Sequence, residues 1–291
     1  MSLGVYMKLL IECSKKDSSL FDMSDGIILP LKGFSVESVC YFTYEEIKNI
    51  VETSKVEVFV KMNKNFMNEE IDSLTDMLKK LNSLGIKGIF FYDLAILELK
   101  KELSLTIDLV WNQTHMVNNY KTCDYYYSKG VQYALLGKEI TLEEIKEICL
   151  RSQVSSMVEV VSRPSVAFSK RSLIHNYYCD LGENGPSELV ISEKVSNEKY
   201  HLIEDENGTT FFLDTVTNGT SVLSELYSIG VDYIIMREYG LENIFHDLVL
   251  DTMNYINDGC KDNKYILKYK KLGDSTNFFF KKTIYKVRKN G

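Results

Sequence analysis

Short apolar runs and amphipathic stretches alternate along this chain from Met7 to about residue 258. The apolar runs fall at 7–13, 25–31, 56–63, 86–93, 105–112, 131–139, 155–163 and 231–240. They are rich in Val, Ile, Leu and Phe, as strands covered on both faces are. Between them, apolar residues recur at three- and four-residue spacing, as at Ile71, Leu74, Leu78 and Leu81. That period predicts helices over 43–54, 68–85, 94–103, 118–130, 141–152, 221–230 and 241–258. Thr43 with Glu46 forms a capping box at the first, and Asn68 and Gly85 are the expected start and stop of the second. Eight strands in this alternation, over about the 250 residues usual for the architecture, predict an α/β protein built as a closed, somewhat irregular (β/α)8 TIM-type barrel.

The rhythm breaks once. After Cys179, "ELVISEKV" and "YHLIEDENGTTFFLD" alternate with period two around Asn207-Gly208, which predicts a β-hairpin insertion after strand seven at about 180–215. The expected organisation is one barrel over 1–260 including that insertion, then a basic C-terminal segment, 261–291, packing on the barrel.

Charge changes this picture only at the end of the chain. The net charge of −7 divides unevenly, because 261–291 holds ten Lys and Arg against two acids and the preceding residues hold 24 against 39. Such a tail can lie on the acidic body or meet RNA phosphates. No run of about 18 uncharged apolar residues occurs and the first residues do not read as a signal peptide, so a cytoplasmic protein without a membrane partner is expected. The six cysteines contain no C-x-x-C pair and read as reduced thiols.

In a barrel, chemistry comes from the carboxyl ends of the strands and the loops after them. That rule selects Glu12, Lys61, Asn63, Asp93, Asn112 with Gln113 and His115, Glu139, Arg163 with Arg171 and His175, and Arg237 with Glu238. Any one of them fits a solvated strand end or an ion pair, but their recurrence at the same point of successive units predicts a mixed ring of charge at the mouth. Arg163 and Arg171 offer planar forks for a carboxylate or phosphate, with Asn112, His115, Arg237 and Glu238 as further binding residues. Glu139, Glu159 and His175 are the acid–base candidates. No H-E-x-x-H, G-x-S-x-G or glycine-rich phosphate motif occurs, and Cys123, Cys149 and His246, within helical stretches, read as packing residues. No metal site is expected from the spacing; Cys13, Cys40 and Cys179, near strand ends or loops, are the cysteines able to approach a common site.

The stretch "VEVVSRPSVAFSKRSLIHNYY" resembles the signature of the peptidase U32 (collagenase-like) family. "NNYKTCDYYYSKGVQYALLGKEITLEEIKEI", "YHLIEDENGTTFFLDT" and "NFFFKKTIYKVRKNG" are similar to three further segments of that family in the same order. The resemblance implies a (β/α)8-type barrel and a peptidase label. It also implies, for members that bind a [4Fe-4S] cluster through four cysteines, oxygen-independent hydroxylation of RNA bases or of a quinone precursor. This chain departs from the pattern at Ser172, where the family has cysteine, and at Ser162, where it has glycine, and Pro164 is displaced by one position. A hydroxyl is a poor ligand for such a cluster, so no cofactor is expected here. The reading is thus a U32-like protein, a hydrolase by family label, whose barrel mouth takes a polar or anionic substrate, peptide or small molecule. The alternative is an RNA-hydroxylation protein or a noncatalytic binding subunit that has lost the cluster, meeting RNA through its tail or assembling with a paralogous partner.

Overall fold

The computed structural model describes residues 6–16, 18–113, 116–273 and 278–280. Eight parallel strands close into a barrel: β1 (Lys8–Glu12), β2 (Gly26–Pro30), β3 (Glu57–Met62), β4 (Gly88–Phe91), β5 (Asp108–Trp111), β6 (Tyr133–Leu135), β7 (Ser155–Ser162) and, last in the chain, a strand at Tyr233–Arg237 that pairs with both β7 and β1. The crossovers after β2 to β6 carry α1 (Tyr44–Thr53), α2 (Ile71–Leu84), α3 (Leu94–Glu102), α4 (Tyr120–Ser128) and α5 (Leu142–Arg151). The link from β1 to β2 carries a 3-10 turn, Ser18–Met23, in place of an α-helix. The capping box at Thr43 and Glu46 is formed, and Gly85 ends α2 in the left-handed conformation. Asn68 instead opens a 3-10 turn, so α2 itself begins at Ile71.

Alternation along the strands sorts the core into two bodies. One side of each strand packs against the helices; the other fills the barrel with Leu10, Ile28, Phe59, Phe90, Val110, Tyr133, Leu135, Met157, Tyr233 and Ile235. Phe59, Tyr133 and Tyr233 meet edge to face in this interior, with centroids 5.8 to 6.0 Å apart.

After β7 the chain builds a second, antiparallel sheet from β8 (Ser165–Ser169), β9 (Glu188–Ser192), β10 (Lys199–Asp205) and β11 (Gly208–Leu213), in the order β8-β11-β10-β9, with α6 (Leu173–Asp180) between its first two strands. This sheet is larger than a hairpin and begins at Ser165, because Ser165 and Ala167 to Ser169 pair with β11, with a bulge at Val166, instead of forming a loop. At the turn from β10 to β11, Gly208 has φ +137°, and a Cβ there would stand 2.0 Å from the Ser169 carbonyl oxygen, so glycine lets β8 close on β11. β12 (Thr217–Asn218) pairs with Ser162 and Val161 and returns the chain to the barrel through α7 (Leu223–Ile229) and β13 (Tyr233–Arg237). There follow α8 (Phe245–Asn257) and α9 (Lys264–Leu267).

Of the basic C-terminal segment, the described part lies on the barrel. Ile266, Tyr269 and Phe279 are buried, and Asn218 Nδ2 donates to the carbonyls of Tyr269 and Leu272. Lys281, Lys282 and Lys286 lie outside the described residues. No described helix is long and apolar enough to cross a membrane.

Candidate functional site

The inward face of each strand alternates, so the residue two positions beyond a core side chain points into the barrel one layer nearer the mouth. Leu10 is thus followed by Glu12, Phe59 by Lys61, Val110 by Asn112, Met157 by Glu159, and Ile235 by Arg237. An apolar layer gives way to a charged one. A bulge in β7 at Val160, where the register slips between Ile235/Glu159 and Met236/Val161, sits directly beside Glu159.

These side chains form one buried network. Arg237 bridges the two carboxylates, with Nε donating to Glu159 Oε2 at 2.7 Å and Nη1 to Glu12 Oε2. Glu12 Oε1 also accepts from Ser38 Oγ at 2.8 Å and lies 3.5 Å from Lys61 Nζ, which donates to Ser38 Oγ at 2.7 Å and to the Glu37 carbonyl at 3.0 Å. Lys138 Nζ is 2.5 Å from Glu159 Oε1, the oxygen to which Ser162 donates. Burial lowers Lys61 to about 8 and Arg237 to about 10. The lysine can therefore gain or lose a proton near neutrality, while the guanidinium stays charged. Both serine hydroxyls are spent as donors inside the network, and no activated nucleophile follows from them.

Above the network lies a recess. Its inner end, of about 40 Å³, is bounded by Lys61, Lys138, Glu159, Arg163, Phe212 and Arg237. A vestibule of about 430 Å³ shares Glu37, Asn63, Asn112 and Ser165 with it and extends past Tyr92, Phe168 and Lys170. Arg163 lies over the ring of Tyr239 and against Gly240, where a Cβ would stand 2.6 Å from its Nε. Gly240 also has φ +82°, so both its space and its backbone suit glycine. Arg163 Nε is buried and has no partner among the described residues. Glu37 has φ 57°, a left-handed conformation costly for a glutamate, held there by the bond from Lys61 to its carbonyl. A larger groove, about 540 Å³ around Glu57, Lys87 and Asp108, opens at the opposite end of the barrel, away from the strand ends where reactive groups gather.

Of the residues selected from sequence, Asn112, Glu159, Arg163 and Arg237 line the recess, joined by Lys61 and Asn63. Glu238 is buried beside it, accepting from the Ser14 amide at 2.7 Å. Glu139 does not join them: β6 ends at Leu135, alternation lapses, and its exposed side chain cedes the place to Lys138. Arg171 and His175 do not line the recess either, because the segment after β7 is β8 and α6, part of the antiparallel sheet and helix that form a cover beside the recess, and both side chains are exposed there. His115 lies outside the described residues. Asp93 caps α3 through the Ala95 amide and accepts from Phe66 N. Tyr92 follows Phe90 by the same two-residue period, while Glu37, Ser38, Lys138 and Phe212 sit in loops or on the second sheet, where no period marks them; the left-handed Glu37 has no sequence signal at all.

The cysteines do not fit a four-thiolate cluster. Cys179 is exposed on α6 with Sγ 3.3 Å from His175 Nε2, Cys40 is buried with its thiol pushed up by burial, and Cys123 and Cys260 are pushed up to about 12 for the same reason. Among the described residues, no group of three Cys, His, Asp or Glu side chains could hold a metal ion.

A model of peptidase family U32 matches residues 22–188. The chain belongs to that family. Among curated proteins, this U32 chain is 28% identical to tRNA hydroxylation protein P2 of Bacillus subtilis (strain 168) over 268 residues, 84% of this chain and 87% of that protein. It is 25% identical to tRNA hydroxylation protein P1 of the same organism over 139 residues, 47% of this chain and 33% of that protein. The solved U32 peptidase Mk0906 superposes with a TM-score of 0.50 at 16% identity, covering 81% of this chain and 94% of that one, and shares the barrel fold.

Proposed function

We propose that this U32 protein is a cytoplasmic component of tRNA base hydroxylation that holds a tRNA nucleotide at the barrel mouth. The observation that carries this reading is the likeness to protein P2 across nearly the full length of both chains. The likeness to P1 reaches only a third of that longer protein, which suits a partnership of paralogues with different tasks. In that partnership this chain binds and orients, through Arg163, Asn112 and Arg237, and the redox step belongs to the partner. Lys61, near its own pKa at neutrality, can give or take a proton at the floor of the recess. The peptidase label finds no support in the described residues, since Ser38 and Ser162 are locked onto carboxylates and, among those residues, no Cys–His pair lines the recess.

Expression in B. subtilis lacking protein P2, followed by mass spectrometry of tRNA digests, tests the proposal. Return of a nucleoside heavier by one oxygen is expected. Failure of the well-expressed chain to restore it, in the presence of its own P1-like partner, refutes the reading.

A further inference from the structure

Four observations converge on the vestibule. At about 430 Å³ it falls within the roughly 300–1,000 Å³ of small-molecule sites and is far larger than the inner recess. Two rings line it from opposite sources: Tyr92, just past the end of β4 and 37% exposed, and Phe168 on the covering strand β8. Two amides at the ends of barrel strands, Asn63 and Asn112, are buried at its inner edge. Asn63 Oδ1 accepts from Ser35 Oγ at 3.1 Å and from Val36 N at 3.0 Å, so its NH2 end is the one left to serve a ligand. Beside them stands the carboxylate of Glu37, on a backbone held in the left-handed region.

Each observation has a bland counterpart: an exposed tyrosine, a buried amide or an off-region loop residue is common alone. Together they make a pocket with two aromatic residues in its lining and, at its inner end, amide donors beside a glutamate. A peptide side chain uses both parts less fully: Tyr, Trp and His bring only one or two polar atoms to meet three groups, and Arg, which stacks as Arg163 does on Tyr239, is all donor and leaves the Asn63 amide without an acceptor. A nucleobase has both. Single-stranded RNA is read by stacking unpaired bases on aromatic rings and bonding their edges. Lys170 stands at the outer rim of the same vestibule, where the ribose-phosphate would leave.

We infer that the vestibule is a pocket for one unstacked RNA base, with Tyr92 and Phe168 as its stacking surfaces and Glu37, Asn63 and Asn112 as the readers of its edge. The inference rests on the proposed tRNA role and adds to it the location and residues of base capture. Base and backbone are then held separately, the base by uncharged rings and amides and the phosphates by Lys170.

The test is fluorescence anisotropy of a labelled single-stranded oligoribonucleotide with the full chain, against an oligomer of the same length with one abasic position. The parent is expected to bind the abasic oligomer about tenfold more weakly, and Tyr92→Ala and Phe168→Ala are expected to lose about tenfold on the intact oligomer. Tyr92→Phe keeps the ring and should keep the affinity, and the salt slope should not change in any of these variants, since no charge is altered. Equal binding of both oligomers, undiminished binding by both alanine variants, or no binding by the parent overturns the pocket. The cellular test separates the two readings. Restoration of the nucleoside by parent and by the double alanine variant alike removes the pocket and leaves the tRNA role. No restoration, with tight binding that depends on Tyr92 and on the base, removes the role and leaves the pocket.

Discussion

At the scale of single residues, the mouth is a place where burial and charge oppose each other. Lys61 is buried, and the cost of desolvating its ammonium outweighs the pull of the Glu37 and Glu159 carboxylates, so its pKa falls from 10.5 to about 8. The unfolded chain therefore binds an extra proton between about pH 8 and 10.5, and stability attributable to this group rises with pH across that window. The parent should gain roughly 3 kcal/mol from this source between the two ends, a gain absent from Lys61→Met. Urea midpoints of both proteins across the range check it, with tyrosine ionisation cancelling in the difference. A second expectation concerns thiols. Protein purified without oxygen should not show the visible absorption and about four irons per chain of a [4Fe-4S] protein; iron at that level, lost on Cys179→Ser, would reverse the assignment of Cys179 to the cover. Much of the inner site was legible before the structure, because Glu12, Lys61, Asn112, Glu159 and Arg237 obey the two-residue period of buried strands. Glu139 misled because β6 stops four residues short of it, and Lys138, its neighbour, reaches Glu159 from beyond the strand.

Among elements, the parallel strands announced themselves because both their faces are covered and their apolar runs are unbroken. β8 did not. Its burial is partial, Val166 and Ala167 are exposed, and no alternation separates "SVAFS" from a loop. Its strand character comes from pairing with β11, some forty positions later, a partner that local pattern does not reveal. Gly208 is the hinge of that pairing. Gly208→Val puts a branched side chain against the Ser169 carbonyl on a backbone that disfavours it, and should cost about 1–3 kcal/mol. The loss should be local: amide exchange is expected to accelerate in β8 and β11 first while β1 and β13 keep their protection, and uniform acceleration across the barrel would contradict the cover's independence.

For the whole molecule, the proposed tRNA role sets the acidic body against the basic end as alternative places for phosphate contact. The described portion of the C-terminal segment is committed to packing through Ile266, Tyr269 and Phe279. Lys281, Lys282 and Lys286, outside the described residues, are the cations whose share in a long-range charge effect is to be measured. Their replacement by Gln should flatten the dependence of log affinity on log salt by about two units, at about 0.7 per phosphate contact on a single strand, with thermal stability unchanged. An unaltered slope would assign phosphate contact to the mouth. The cover carries a consequence of another kind. Thr217 pairs with Ser162, so the chain leaves the barrel and re-enters it at adjacent points of one ladder. Everything between them, the four-stranded sheet and α6, leaves and returns through a closed neck; it touches the barrel loops, as Asn207 does Ser35 and Lys170 does Asn65, but takes no place in the barrel's own ladder. Such a segment behaves as an interchangeable cartridge. Its sequence can be rewritten, and with it what the recess admits, while the charged floor stays untouched.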